Sequence, residues 1–142
     1  MQFKNVIAHE AEKKHLIHTV QENRISHAQM FLGSSGSGSL PLAIAYAQYI
    51  LCQNQQENDS CGECASCAKI QKHNHPDLHF SFPIHLSREK HVDSSDNVLG
   101  EWREILDENS YFGLDDWNVK LGNENKQGLI GVKESQNIVS KI

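Results

Sequence analysis

The chain has 142 residues, a length that suits one domain or part of one. Only 38 per cent of the residues are hydrophobic, which indicates a local core with polar insertions rather than disorder. The net charge of −5 argues against a broad nucleic-acid-binding face, because affinity for the phosphate backbone comes from clustered Lys and Arg. Any role at DNA would therefore depend on protein partners.

The sequence has no mark of a targeted or membrane protein. Its first residues carry no basic segment followed by an apolar one, and the longest apolar stretch, residues 40–51, is interrupted by Pro, Tyr and Gln. This favours a cytoplasmic protein without a membrane span. In that reducing compartment, closely spaced cysteines are more typical of metal ligands than of disulfides.

The first half of the chain predicts a helix, a strand, a glycine-rich loop and a second helix. Residues 10–23 repeat apolar side chains at helical spacing, which is typical of an amphipathic helix. Residues 29–32 form a short apolar run and predict a buried strand that enters the loop. A helix is predicted from Leu40 to about Cys52, with Ser39 as its N-cap.

The second half adds two strand candidates, 78–82 and 129–130, and a helical pattern over residues 132–142. Because strands and helices alternate, the order predicts an α/β fold with a doubly wound parallel sheet in three αβα layers. Residues 84–127 alternate between polar and aromatic stretches. They are interpreted as an insertion with a satellite core, and a partner-binding surface is the alternative. The side chains expected in that core are Trp102, Tyr111, Phe112, Leu114 and Trp117.

The glycine-rich loop has the G-x-x-x-x-G spacing of a phosphate-binding P-loop but lacks the Lys and Ser/Thr that complete the motif. Without them it has no cation for the β- and γ-phosphates and no hydroxyl for magnesium, although its backbone N–H groups would still form an anion nest. We therefore predict a degenerate phosphate loop that does not use ATP, and we assign no catalytic residue. A flexible Gly/Ser loop is the alternative. The loop comprises Gly33, Ser34, Ser35, Gly36, Ser37, Gly38, Ser39 and Leu40.

All four cysteines fall within sixteen residues, in the pattern C-x8-C-x2-C-x2-C. A C-x2-C turn lets two thiolates converge on one ion, and a shell of four thiolates has no open position, so we predict a structural Zn²⁺ rather than a catalytic one. An iron–sulfur cluster and free or redox-active thiols are the alternatives. His73 or His75 could replace one thiolate, although four thiols suffice. The predicted ligands are Cys52, Cys61, Cys64 and Cys67.

Several stretches of the chain together resemble one protein family. They are Arg24-Ile25-Ser26-His27-Ala28, Phe31-Leu32-Gly33, the cysteine segment with Cys61-Gly62-Glu63-Cys64-Ala65-Ser66-Cys67 at its centre, and His75-Pro76-Asp77-Leu78. With the altered glycine loop, they resemble the clamp-loader AAA+ family of the bacterial DNA polymerase III holoenzyme, and its delta-prime branch in particular.

The resemblance implies an AAA+ fold, with residues 1–142 as the N-terminal part of a longer chain and a zinc module at 52–68. It also implies a pentameric assembly with the loader's ATPase subunits and delta subunit, which opens the sliding clamp and places it on primed DNA. In that assembly the delta-prime branch does not hydrolyse ATP, and its arginine finger lies outside this sequence. Two features depart from the family: the insertion at 84–127 is longer than usual, and Ser135-Gln136 replaces a commoner Ile-Arg.

These observations favour a non-hydrolysing replication subunit that works as a scaffold. Two other classes of function stay open on the sequence. The first is an active clamp-loader ATPase of the gamma/tau type, against which the missing Lys and Thr argue. The second is a stand-alone zinc-binding interaction module whose glycine loop is incidental.

Overall fold

The computed structural model describes residues 1–87, 89, 91–122 and 127–141, which form two compact units, Met1–Leu78 and His79–Ile142. In the described part of the chain, six α-helices are joined by loops and two short 3-10 helices, Phe3–Asn5 and Ser95–Val98. None of these helices is long and apolar enough to cross a membrane. The α-helices are α1 Glu10–Gln21, α2 Ser39–Leu51, α3 Ala65–Gln71, α4 Leu99–Glu108, α5 Leu114–Lys120 and α6 Val132–Lys141.

The core of the first unit lies between α1 and α2. The amphipathic pattern of residues 10–23 is confirmed, because α1 buries Leu16 and Ile17 against apolar side chains of α2. Lys13 is also buried, and its ammonium group donates hydrogen bonds to the Val6 carbonyl and to Glu10, both at 2.7 Å. These bonds satisfy a charged group that burial alone would destabilise.

The helix predicted at 40–52 is present as α2, but it begins one residue earlier than expected. Gly38, not Ser39, is its N-cap, with φ at 98°. A residue with a Cβ is strained at that angle, so glycine rather than a capping side chain sets the start of the helix. Pro41 lies in the first turn, where no N–H partner is lost, and Cys52 follows the last turn.

The predicted three-layer parallel sheet is wrong. Over the described ranges there is no sheet, and the only β pairings are two isolated antiparallel bridges, Ile84 with Leu129 and Ser87 with Val92. The segment predicted as the first strand, 29–32, has no regular structure, with Met30 80% and Leu32 85% exposed. A strand needs a partner for its N–H and C=O groups, and an apolar run does not supply one.

The remaining strand predictions fail for the same reason. Among the residues that the structure describes, 78–82 have no ladder partner. Leu129 exchanges one pair of backbone hydrogen bonds with Ile84, at 3.0 and 2.9 Å. The helical pattern predicted over residues 132–142 is confirmed over 132–141, while its last residue, Ile142, lies outside the described residues.

The second unit is built around an aromatic cluster, as the sequence predicted for this region. Phe82 stacks on Trp102 with ring centroids 4.0 Å apart, and Trp117 meets both rings edge-on at 5.1 Å. Phe112 contacts Trp102 in the same manner, whereas Leu114 is half exposed. The boundaries 84–127 of the proposed insertion stay a prediction, and residues 88, 90 and 123–126 within them lie outside the described ranges.

A buried carboxylate joins α6 to the start of the second 3-10 helix. Glu134 accepts hydrogen bonds from the Ser95 backbone N–H at 2.7 Å and from the Ser95 hydroxyl at 2.5 Å. Burial raises the pKa of Glu134, but the hydrogen bonds from Ser95 and Ser81 outweigh it and hold the pKa below its ordinary value. The ionised form of Glu134 is therefore part of the folded structure.

Candidate metal centre and glycine loop

The structure brings all four predicted cysteine ligands together. Their Sγ atoms all lie within 4.8 Å of one another, and none forms a disulfide. The Cys52 and Cys61 sulfurs are 3.5 Å apart, and those of Cys61 and Cys67 are 3.9 Å apart. Both distances are far beyond the ~2.05 Å of a disulfide bond.

Two helix ends and one turn place these thiols. Cys52 is the C-cap of α2, Cys64 is the N-cap of α3, and Cys67 lies in the first turn of α3. Cys61 precedes Gly62, whose φ of +76° makes the tight turn that the sequence predicted between Cys61 and Cys64. Two helix termini and a glycine turn thus converge on one point.

Backbone N–H groups point at three of the sulfurs. The N–H groups of Cys61, Cys64 and Cys67 lie 3.3, 3.3 and 3.4 Å from the Sγ atoms of Cys52, Cys61 and Cys64 respectively. Such bonds stabilise thiolates and orient them as ligands. The backbone donors therefore stabilise negative charge on these sulfurs.

The spacing of the sulfurs suits a single ion. Four thiolates bound tetrahedrally at about 2.3 Å from one ion lie roughly 3.8 Å apart, close to the two separations above. An iron–sulfur cluster puts several irons and sulfides between its cysteines, and sulfurs that all lie within 4.8 Å leave no room for them. The four cysteines can therefore hold one metal ion, with no position left open for water.

The four thiols differ in their readiness to ionise. A hydrogen bond from the Cys67 backbone N–H lowers the pKa of Cys64 to about 6. Burial raises the pKa of Cys67 to about 12 and also raises that of Cys52. A metal ion replaces the thiol protons when it binds, so binding at this centre releases protons.

Neither histidine considered as a ligand joins the cluster. His75 Nε2 lies 3.0 Å from the Ser66 hydroxyl, and the backbone N–H of Asp77 donates to His75 Nδ1 at 3.1 Å. His73 is buried with φ at 52°, outside the group of donor atoms that surrounds the sulfurs. The four thiols therefore form the donor set by themselves in the described part of the chain.

The structure also contains a serine–histidine–aspartate grouping that was not predicted from the sequence, formed by Ser66, His75 and Asp77. Because Nδ1 accepts the Asp77 N–H, the ring proton is on Nε2 and is donated to the serine oxygen. A nucleophilic serine needs the opposite arrangement, in which histidine accepts the hydroxyl proton. Ser66 is also buried, so the grouping is a structural clasp between the first turn of α3 and the segment that follows the helix.

The glycine loop keeps the backbone form of a tight turn before a helix. The Ser37 N–H donates to the Ser34 carbonyl at 3.0 Å, and Gly36 and Gly38 have φ at 74° and 98°. Ser39 and Leu40, at the positions of the missing Lys and Ser/Thr, open α2. The loop therefore makes a tight turn directly into a helix, and neither of these two residues supplies a cation.

A residue outside the motif also contacts this loop. His9 Nε2 lies 2.7 Å from the Ser37 carbonyl, and both residues line an open cleft of about 740 Å³ together with His15, Phe31 and Leu32. His9 precedes α1 in a left-handed conformation, with φ at 63°. Nothing in the spacing of the sequence pointed to this contact, because the two residues are 28 positions apart.

Comparison with protein families matches residues 8–113 to the family described as DNA polymerase III, delta subunit. The chain belongs to this family. The resemblance inferred from the sequence is thus confirmed. Among curated proteins, the delta' subunit of DNA polymerase III of Bacillus subtilis is 36% identical over 77 residues, covering 54% of this chain and 23% of that protein.

Two further relatives show the range of the matches. The Escherichia coli delta' subunit is 35% identical over 68 residues, 48% of this chain and 20% of that protein. The Bacillus subtilis tau subunit is 31% identical over 68 residues, 48% of this chain and 12% of that protein. The chain thus spans a quarter or less of the length of these relatives. No solved structure matches it.

Proposed function

We propose that this chain is a delta-prime-like subunit of the DNA polymerase III clamp loader, which helps to load the sliding clamp on primed DNA without hydrolysing ATP. The observation that carries the proposal is the loop Gly33–Leu40, which has the glycine spacing of a phosphate-binding loop and a tight turn before a helix, but neither the lysine nor the magnesium ligand of that motif. The similarity to proteins named DNA polymerase III subunit delta' supports the assignment to the clamp loader.

The electrostatics of phosphoryl transfer support a non-hydrolysing role. Transfer of a γ-phosphoryl group depends on positive charge held at the β- and γ-phosphates and on a bound Mg²⁺. Ser39 is neutral and Leu40 is aliphatic, and the sequence has no Lys between Lys14 and Lys69. Backbone N–H groups alone would leave most of the phosphate charge uncompensated.

We propose further that residues 52–68 form a zinc module with Cys52, Cys61, Cys64 and Cys67 as ligands. Zn²⁺ favours thiolate ligands in tetrahedral geometry, and the sulfur separations suit a metal–sulfur distance of about 2.3 Å. Since the four thiolates fill the coordination shell, the ion would stabilise the fold between α2 and α3 rather than catalyse a reaction.

In this proposal the chain binds other proteins directly and DNA only through them. They are the ATPase subunits and the delta subunit of the loader, and through them the sliding clamp and primed DNA in the cytoplasm. The net charge of −5 agrees with a subunit that meets DNA indirectly. The chain would then contribute surface and rigidity to the assembly while neighbouring subunits supply hydrolysis.

Reconstitution tests the proposal. The full-length protein is mixed with the tau-type ATPase subunit and the delta subunit, and complex formation is measured by size-exclusion chromatography with light scattering. We expect it to join the complex and to show no ATP turnover of its own. Failure to associate would favour a stand-alone zinc module instead.

The similarity to tau subunits favours one second candidate, an active ATPase of the gamma/tau type. The same reconstitution separates the two. Magnesium-dependent ATP hydrolysis by the isolated protein, abolished when Gly38 or Ser39 is replaced by Asp, would establish the active enzyme and overturn our proposal.

A further inference from the structure

The cysteine loop is bound to the start of the chain by a set of polar contacts that we call the N-terminal latch, formed by Gln2, Phe3 and Lys4 with Asp59 and Ser60. One carboxylate is at its centre. Asp59 accepts the backbone N–H groups of Phe3 and Lys4, each at 3.0 Å, and that of Ser60 at 2.8 Å. A single side chain thus joins the first 3-10 helix to the residue that precedes Cys61.

The Gln2 side chain extends the latch to the turn between the cysteines. Its Nε2–H donates to the Ser60 carbonyl at 2.6 Å. Its Oε1 lies so close to Gly62 that a Cβ added there would be 2.8 Å away. The turn that sets the positions of Cys61 and Cys64 is therefore in direct contact with Gln2.

The same residues connect the cysteine loop to α2. The Ser60 hydroxyl accepts a hydrogen bond from the Gln48 amide of α2 at 2.9 Å, and both side chains are buried. Phe3 packs edge-on against Tyr49 of α2, with centroids 5.8 Å apart. Because Cys52 is the C-cap of α2 and Cys61 follows Ser60, holding Ser60 against α2 also restricts the separation of the Cys52 and Cys61 sulfurs.

We propose that metal binding by the four cysteines and docking of residues 1–6 are coupled through the N-terminal latch, with Asp59 as its positioning residue. The inference rests on the metal site of the proposed function. Coupling of this kind is reciprocal: if the docked segment tightens metal binding by some factor, the metal stabilises docking by the same factor. Loss of metal would therefore release the start of the chain as well as the cysteine loop.

The first test compares zinc affinity among three proteins by competition with a chromophoric chelator. In Asp59→Ala the latch loses the acceptor for three N–H groups, and we expect zinc to bind about tenfold more weakly, as for other groups that orient metal ligands. The matched control is Glu57→Ala, which removes the same charge from an exposed position on the same loop and should bind zinc like the natural protein. Affinities of the two variants that agree within twofold would overturn the coupling.

The second test uses the natural protein and so does not depend on whether a variant folds. Amide hydrogen exchange is measured for the zinc-loaded protein and for the protein stripped by a chelator. We expect residues 1–6 to lose protection with the cysteine loop, while α4, in the other compact unit, keeps it. Unchanged protection at Phe3 and Lys4, or an equal loss throughout α1, would refute a specific latch.

These measurements separate failure of the latch from failure of the proposed function. If the natural protein bound no zinc, both the metal site and the latch would be wrong. If the natural protein and both variants bound zinc with the same affinity, only the latch would be wrong. Association with the DNA polymerase III subunits is measured independently of the metal site and of the latch. The coupling would be established if Asp59→Ala alone bound zinc more weakly and if protection of residues 1–6 depended on the metal.

Discussion

The two tryptophans give a sharp test of the second unit, because only one of the two indole N–H groups has a hydrogen-bond acceptor among the described residues. Trp117 is 1% exposed, and its Nε1–H donates to the Pro83 carbonyl at 2.7 Å. Trp102 is also buried, but its Nε1–H meets no acceptor among the described residues. We therefore expect Trp117→Phe to destabilise the unit more than Trp102→Phe.

The magnitude follows from what each substitution removes. Replacing an indole by a phenyl ring leaves a small cavity in either case, at a cost of about 1–2 kcal/mol. Trp117→Phe also leaves the Pro83 carbonyl without its donor, which lowers the free energy of unfolding by a further ~1–3 kcal/mol. Trp102→Phe instead removes an unsatisfied N–H group, and this offsets part of the destabilisation from the cavity. The difference should be about 2 kcal/mol, or roughly thirtyfold in the unfolding equilibrium.

Urea unfolding measures this difference. Each variant keeps one of the chain's two tryptophans, so its fluorescence reports the second unit directly, and circular dichroism follows the helices. Equal stabilities, or a lower stability for Trp102→Phe, would refute the reasoning from the indole hydrogen bond.

Three further predictions concern the metal turn and the buried carboxylate. Cys64→Ser should release the metal and unfold residues 53–69 with less effect on the second unit, which metal analysis and hydrogen exchange can check; one retained equivalent of zinc would contradict the ligand assignment. Glu134→Gln should lower stability by about 1–2 kcal/mol at neutral pH. Because the folded-state pKa of Glu134 lies below 4.5, its contribution is complete above pH 4.5 and is lost as pH falls through the folded-state value, so the variant's deficit should shrink in acid. Gly62→Ala should weaken zinc binding, since φ at Gly62 is +76° and the new Cβ would meet Gln2. Gly100→Ala in α4, where an added Cβ meets nothing, should raise the free energy of unfolding by about 0.5 kcal/mol. Equal changes in unfolding free energy and in zinc affinity for the two variants would contradict this reasoning.

The helices were predictable because their signal is local. Apolar side chains at helical spacing located α1, α2 and α6 to within one or two residues. The sheet was not predictable from the same evidence. A strand is defined by its partner, which is distant in sequence, and apolar runs such as 29–32 do not say whether a partner is present.

In the candidate metal centre, too, the local features were predictable and the contacts between distant residues were not. The close spacing of the cysteines predicted that all four sulfurs meet, and the two C-x2-C turns explain why those of Cys61, Cys64 and Cys67 converge. The contacts that support the centre were not predicted, because Asp59 meets Phe3 and Lys4 across more than fifty residues. The clasp of Ser66 and His75 was missed as well, since no spacing rule links a buried serine with a histidine beyond the end of its helix.

A calorimetric titration with Mg-ATP tests the central claim most directly. The full-length natural protein is titrated beside the double variant Ser39→Lys/Leu40→Thr, which restores the two residues that the phosphate loop lacks. We expect no heat of binding from the natural protein, whether or not the variant gains affinity. Clear micromolar binding by the natural protein would contradict a subunit that does not use nucleotide.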